Sequence, residues 1–156
     1  MPHIHEKIDF TAEVFVVYKN TVLLRKHDKY KMWLSIGGHI ELDEDPTETA
    51  LREVKEEVGL DVTIVGPTMP YDGEEDYKEL IPPRFLNRNR INDVHEHVTL
   101  TYFATTKSNT ITQGNNEVSE EIKWFTNKEL DDPRYGVKER IKRYAKSALK
   151  ELGTLD

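Results

Sequence analysis

The chain has 156 residues, 37% of them hydrophobic, and sets 22 Lys+Arg against 29 Asp+Glu for a formal charge of −7. That length suits one domain around one hydrophobic core, spanning 1–156, and the acidic balance argues against duplex nucleic acid as a partner. There is no cysteine, which removes disulfides, thiolate metal sites and a cysteine nucleophile.

The N-terminus, "MPHIHEKIDF", lacks the basic start and apolar run of a secretory signal, and no stretch reaches membrane-spanning length. A cytoplasmic protein without a membrane partner is expected. "FTAEVFVVY" (10–18) is rich in β-branched and aromatic residues and reads as a strand. "TVLLRKH" (21–27) follows after Lys19-Asn20 and completes a hairpin. "MWLSIGG" (32–38) is a further short extended piece ending in a glycine turn. A helix comes next: Asp45 caps it, Pro46 takes its first position, Glu48 completes a capping box, and Gly59 stops it. "DVTIV" (61–65) resumes strand character. Residues 66–93 show little periodicity and are expected as a long surface excursion with a strand or short helix inside it. "HVTLTYFATT" (97–106) alternates as a strand, "EEIKWFT" (120–126) reads as a last or edge strand, and "NKEL" as a turn. From Pro133 to Leu152, Val137, Ile141, Tyr144, Ala148 and Leu152 recur at helical spacing, and Gly153 ends the helix. Strands on both sides of a helix, with a second helix at the end, give an α/β layered domain.

Residues 46–58 carry the densest chemistry. At roughly 100° per residue, Thr47, Ala50, Leu51, Val54 and Val58 form a docking face, and Glu53, Glu56 and Glu57 fall opposite it. Carboxylates at those spacings have Cβ atoms about 5–6 Å apart and repel one another unless a cation lies among them. The plain reading is an acidic outward face paired with Arg52 and Lys55. The sharper one is a seat for Mg²⁺ or Mn²⁺, hard cations that prefer carboxylate and carbonyl oxygens. Glycines 37 and 38 let a backbone carbonyl approach the same ion.

The whole segment decides between them. It runs Gly38, five residues, Glu44, seven residues, then Arg52-Glu53-Val54-Lys55-Glu56-Glu57-Val58-Gly59-Leu60. This resembles the Nudix box, GX5EX7REUXEEXGU with U aliphatic, and fills every fixed position. "TVLLRKH", "WLSIGGHIE" and "EEIKWFTNKEL" are similar to segments that flank the box in that family. One departure is Ile36, where many members have proline before the paired glycines.

The resemblance implies an α/β/α sandwich with a mixed β-sheet, the box forming loop–helix–loop. It implies hydrolysis of a nucleoside diphosphate linked to another moiety, with water attacking phosphorus. A normal or modified nucleoside triphosphate, ADP-ribose and a nucleotide sugar all stay open as substrates. By position, Glu53, Glu56 and Glu57 take metal-ligand roles with the Gly37 carbonyl beside them, and Mg²⁺ is the expected cofactor, with Mn²⁺ as a substitute. Glu53 is the first candidate for general base, and Glu44 and Arg52 support it. Where family members use a glutamate outside the box, Glu96, Glu120 and Glu121 are the candidates here. The resemblance also leaves a homodimer open.

Arg25, Gly38 and Arg84 are candidate substrate contacts. Arg84 belongs to the basic cluster with Arg88 and Arg90 around Phe85. Tyr71, Tyr77 and Trp33 could stack on a base, with ordinary packing as the plainer reading, whereas Trp124 and Phe125 read as core. In "HEH", strand alternation sends His95 and His97 to one face and Glu96 to the other, so these three cannot share one metal. The histidines are expected to touch substrate, partner or solvent. Two rival classes remain. Isopentenyl-diphosphate isomerases share the fold but need a cysteine, and a non-catalytic nucleotide-binding domain is expected to have lost box glutamates.

Overall fold

The computed structural model describes residues 6–71, 73–114 and 121–154. Its framework is a central parallel pair. β1 (Ile8–Tyr18) runs beside β7 (His95–Thr106) in register from Ile8↔Glu96 to Val17↔Thr105. Each strand of the pair shares its outer edge between two antiparallel neighbours. On β1, β4 (Ile36–His39) takes Thr11 to Val14 and β2 (Thr21–Lys26) takes only Val17 and Tyr18. β1 and β2 therefore diverge, and the gap between them is filled by β3 (Trp33–Leu34), Ser35 and β4, β3 pairing with β2. On β7, β6 (Phe85–Asn92) takes the first half and β5 (Val62–Val65) the second. β8 (Glu121–Phe125) closes the far side of β2.

Alternation along β1 gives the sheet two apolar faces. Ala12, Val14 and Val16 pack with Ala50, Val54 and Val58 of α1 (Pro46–Val58). Phe15 and Val17 pack with Ile141, Ala145, Ala148 and Leu149 of α3 (Glu139–Leu152). The result is the expected α/β/α sandwich with a mixed sheet. No helix among the described residues is long and apolar enough to cross a membrane.

Local chemistry accounts for the ends of α1. The Asp45 carboxylate accepts from the Thr47 and Glu48 amides, Glu48 reaches back to the Asp45 amide, and Gly59 ends the helix in the left-handed region at φ 70°.

Three expectations need correction, and a fourth gains its bounds. The buried residues of α1 are Thr49, Ala50, Glu53, Val54, Glu57 and Val58, so two carboxylates lie within the docking face and Leu51, 44% exposed, does not. The excursion holds a strand, one of the two alternatives expected: Phe85–Asn92 is β6, joined to β7 by a turn at Asp93-Val94. "NKEL" is a short helix, α2 (Asn127–Leu130), with its own capping box between Thr126 and Glu129. Finally, α3 begins at Glu139 rather than near Pro133. Asp132 to Tyr135 form a turn, and Gly136 at φ 61° breaks the helical path. Val137 still packs into the core from outside the helix.

Candidate active site

The fork between β1 and β2 is where the box residues meet. β4 runs along one arm so closely that a Cβ on Gly37 would collide with the backbone carbonyl of Ala12. Gly38 faces α1, and a Cβ there would occupy the position of Glu53 Oε1. The paired glycines thus let strand and carboxylate approach each other without an intervening side chain.

Arg52 organises the acidic cluster. It grips Glu44 with two donors, Nε to Oε1 at 2.5 Å and Nη2 to Oε2 at 3.0 Å. Its Nη1 donates to Glu53 Oε1 and Glu56 Oε2, both at 3.1 Å, and its Nη2 lies 3.4 Å from the His39 carbonyl. Thr49 Oγ1 donates to Glu44 Oε2 at 2.6 Å. The Arg52 guanidinium above all, then the Thr49 hydroxyl, hold the Glu44 carboxyl down at about 2. Glu57 has a separate cation, Arg25 of β2, whose Nε lies 2.9 Å from its Oε2. That pair is deeply buried, with 12% and 3% of the two side chains exposed.

Crowding on α1 is therefore relieved from within the chain. Two arginines set against Glu44, Glu53, Glu56 and Glu57 leave the cluster two charges negative. The donor set is all hard oxygen, and Glu53 is seated in a cradle that only glycine leaves open. Both features fit a divalent cation of the Mg²⁺ or Mn²⁺ kind. We expect Gly38→Ala to displace the Glu53 carboxylate while the fold survives, since the colliding group is the end of a side chain. Turnover should fall on the order of 10²-fold, as for a misplacement near 1 Å, and kinetics beside a thermal melt will show whether the loss is local.

On the α3 side of the sheet the fork opens into a cleft of about 550 Å³. Its walls include Arg25, Gly37 and Gly38 at the fork, Asn87 of β6, Thr99 of β7 and Tyr144 of α3. Glu13, in the middle of β1, also lines it, accepting from Ser35 Oγ at 2.7 Å and Thr101 Oγ1 at 2.6 Å. The sequence reading passed over Glu13. Its signal was a lone charge inside an otherwise apolar strand.

The other candidates lie elsewhere. Arg84 pairs with Glu151 of α3 and does not line the cleft, although Arg88 and Arg90 of its cluster do. Glu96 points away from the histidines beside it and is held by Arg88 and Lys7. The Arg88 hydrogen bond is the main reason its carboxyl sits below the usual range. Glu121 is exposed beside Lys26, and Glu120 lies outside the described residues. Trp33 and Phe125 meet edge to face in the core, whereas Trp124 is only partly buried and donates Nε1 to the Asn109 carbonyl. Tyr71 and Tyr77 are exposed and pack against each other.

A second cluster lies beside the fork, with His39 and His97 lining the cleft: Asp9, His39, His95 and His97 bring one ligand atom each within 4.8 Å of all the others. Burial first, then the neighbouring His39 and His95, push the His97 imidazole below its ordinary value.

Comparison with known proteins agrees with this arrangement. A crystal structure of a NUDIX-family hydrolase from Clostridium perfringens superposes with a TM-score of 0.83 at 34% identity, over 95% of this chain and 99% of that one. A MutT NUDIX hydrolase from Burkholderia pseudomallei shares the fold at 16% identity and a TM-score of 0.63, over 94% and 99% of the two chains. A Haemophilus influenzae protein named dihydroneopterin triphosphate diphosphatase is 32% identical over 102 residues, which is 56% of this chain and 64% of that relative's length. The NUDIX domain model itself matches residues 10–146, from β1 into α3. With the box helix seated at the fork, this match places the chain in the Nudix hydrolase family.

Proposed function

We propose that this protein hydrolyses a pyrophosphate bond in a nucleoside diphosphate derivative, and that nucleoside triphosphate-like compounds are its substrates. The carrying observation is the continuity of the Glu44–Arg52–Glu53/Glu56 network with the cleft through Gly37 and Gly38. Phosphates reaching the fork would meet the acidic cluster while the rest of the substrate occupies the cleft between the sheet and α3. The name of the Haemophilus influenzae relative supports a triphosphate within this class.

Glu53, Glu56 and Glu57, with the Gly37 carbonyl, are the groups that would hold Mg²⁺, which when bound neutralises phosphate charge and lowers the pKa of an attacking water. Glu53 accepts the proton of that water. Arg52 and Glu44 fix its carboxylate, and Glu44 remains ionised far into the acid range, so the clamp does not loosen near neutrality. Arg25 lines the cleft while paired with Glu57, and in this reading its guanidinium would meet a phosphate oxygen. Asn87 and Thr99 offer amide and hydroxyl groups to the organic part of the substrate. Assay of a panel of nucleoside triphosphates, a pterin triphosphate, ADP-ribose and nucleotide sugars tests this. Turnover of a triphosphate that ceases with chelator is expected. No turnover anywhere on the panel would count against the hydrolase reading and favour a non-catalytic binding domain.

A further inference from the structure

We propose that Asp9, His39, His95 and His97 form a second metal site, specific for a borderline transition ion of the Zn²⁺ class and separate from the carboxylate cluster on α1. The sheet presets it. Asp9 lies opposite His97 across the parallel β1–β7 pair, His39 lies opposite Thr11 across β1–β4, and His95 shares the His97 face by alternation. Three strands therefore aim four donors at one point on the α3 face of the sheet.

The distances come within a few tenths of an ångström of those around such an ion for three pairs, and all four ligand atoms lie within 4.8 Å of one another. Tetrahedral zinc with bonds of about 2.0–2.2 Å separates its ligand atoms by about 3.3–3.6 Å. Here His95 Nε2 lies 3.1 Å from Asp9 Oδ2 and 3.1 Å from His97 Nε2, and His39 Nε2 lies 3.6 Å from the same Asp9 oxygen. Protons alone satisfy this arrangement badly. His95 Nε2 faces an oxygen and a nitrogen at the same distance, and a single N–H must serve both. One cation would take a lone pair from every member. The donor set, three imidazoles and one carboxylate, suits zinc and its neighbours over magnesium. Among the described residues this is also the sole group of three or more imidazoles and carboxylates that converges so tightly.

The site is adjacent to the chemistry. His39 and His97 line the cleft, and the His39 carbonyl faces Arg52. An ion there would tie β1, β4 and β7 together at the cleft wall. The test uses untagged, metal-stripped full-length protein, titrated with Zn²⁺ in excess Mg²⁺ by calorimetry and followed by thermal melts. We expect one equivalent of Zn²⁺ to bind despite the Mg²⁺ and to raise the Tm. Co²⁺ in its place should give the visible bands of a four-coordinate nitrogen/oxygen site. His97→Ala should lose that equivalent, and so should His39→Ala, whose exposed ring makes misfolding an inadequate explanation. Glu56→Gln should keep it. Absence of Zn²⁺ uptake, or uptake lost with Glu56→Gln and kept in both histidine variants, would overturn the proposal. None of these readouts depends on turnover, so failure of the hydrolase reading would be seen separately.

Discussion

Glu57→Gln is expected to lower stability by about 3–5 kcal/mol, the cost of leaving one member of a buried ion pair without its partner. Repulsion along α1 alone would predict a gain, and the sequence favours that outcome. The structure reverses it, because Glu57 is the counter-charge of Arg25 and both side chains are shielded from water. For a chain of this size the loss corresponds to a Tm lower by roughly 10 °C. Replacing both residues with methionine should recover most of it, since apolar groups of similar volume often substitute for a buried pair at little cost. A Glu57→Gln protein melting within a degree or two of the parent would mean that the pair is solvated in solution.

Glu53→Gln separates chemistry from stability. Arg52 keeps Glu44 and Glu56 when Glu53 becomes neutral, and the amide fits the space opened by Gly38. Stability should change by no more than about 1 kcal/mol. Turnover should fall about 10²–10⁴-fold, the usual contribution of a positioned proton acceptor. Substrate binding measured without turnover should weaken less than turnover does, because Glu56, Glu57 and the cleft walls are untouched. Near-parental kcat in this variant would move the base to another carboxylate.

The two variants show which parts of the site were legible in the sequence. The two ends of α1 were readable to the residue, because capping and stop signals act within a few positions of the groups they satisfy. The identity of the carboxylates followed from their spacing. Their environment did not, because Arg25 lies on another strand and reaches Glu57 only through the fold. β6 was expected only as a strand or short helix somewhere within residues 66–93, without bounds, for a related reason. Phe85–Asn92 is largely exposed on both faces, so no apolar alternation marks it. The reading of "HEH" was right that Glu96 leaves the histidine face, yet Asp9 and His39 come from strands whose register a single sequence does not reveal. Glu13 is a milder instance, visible as a charge in an apolar strand but without its hydroxyl partners.

The parallel pairing of β1 and β7 has an evolutionary consequence. Two parallel neighbours cannot be joined by a tight turn, and the chain must travel from the end of one to the start of the other. In this molecule that journey carries the glycine pair, the acidic helix and β5 and β6. Excising the helix would remove the layer covering one side of the sheet along with the chemistry. A lineage abandoning catalysis would therefore keep the segment and edit its glutamates singly, leaving the scaffold free to acquire another task.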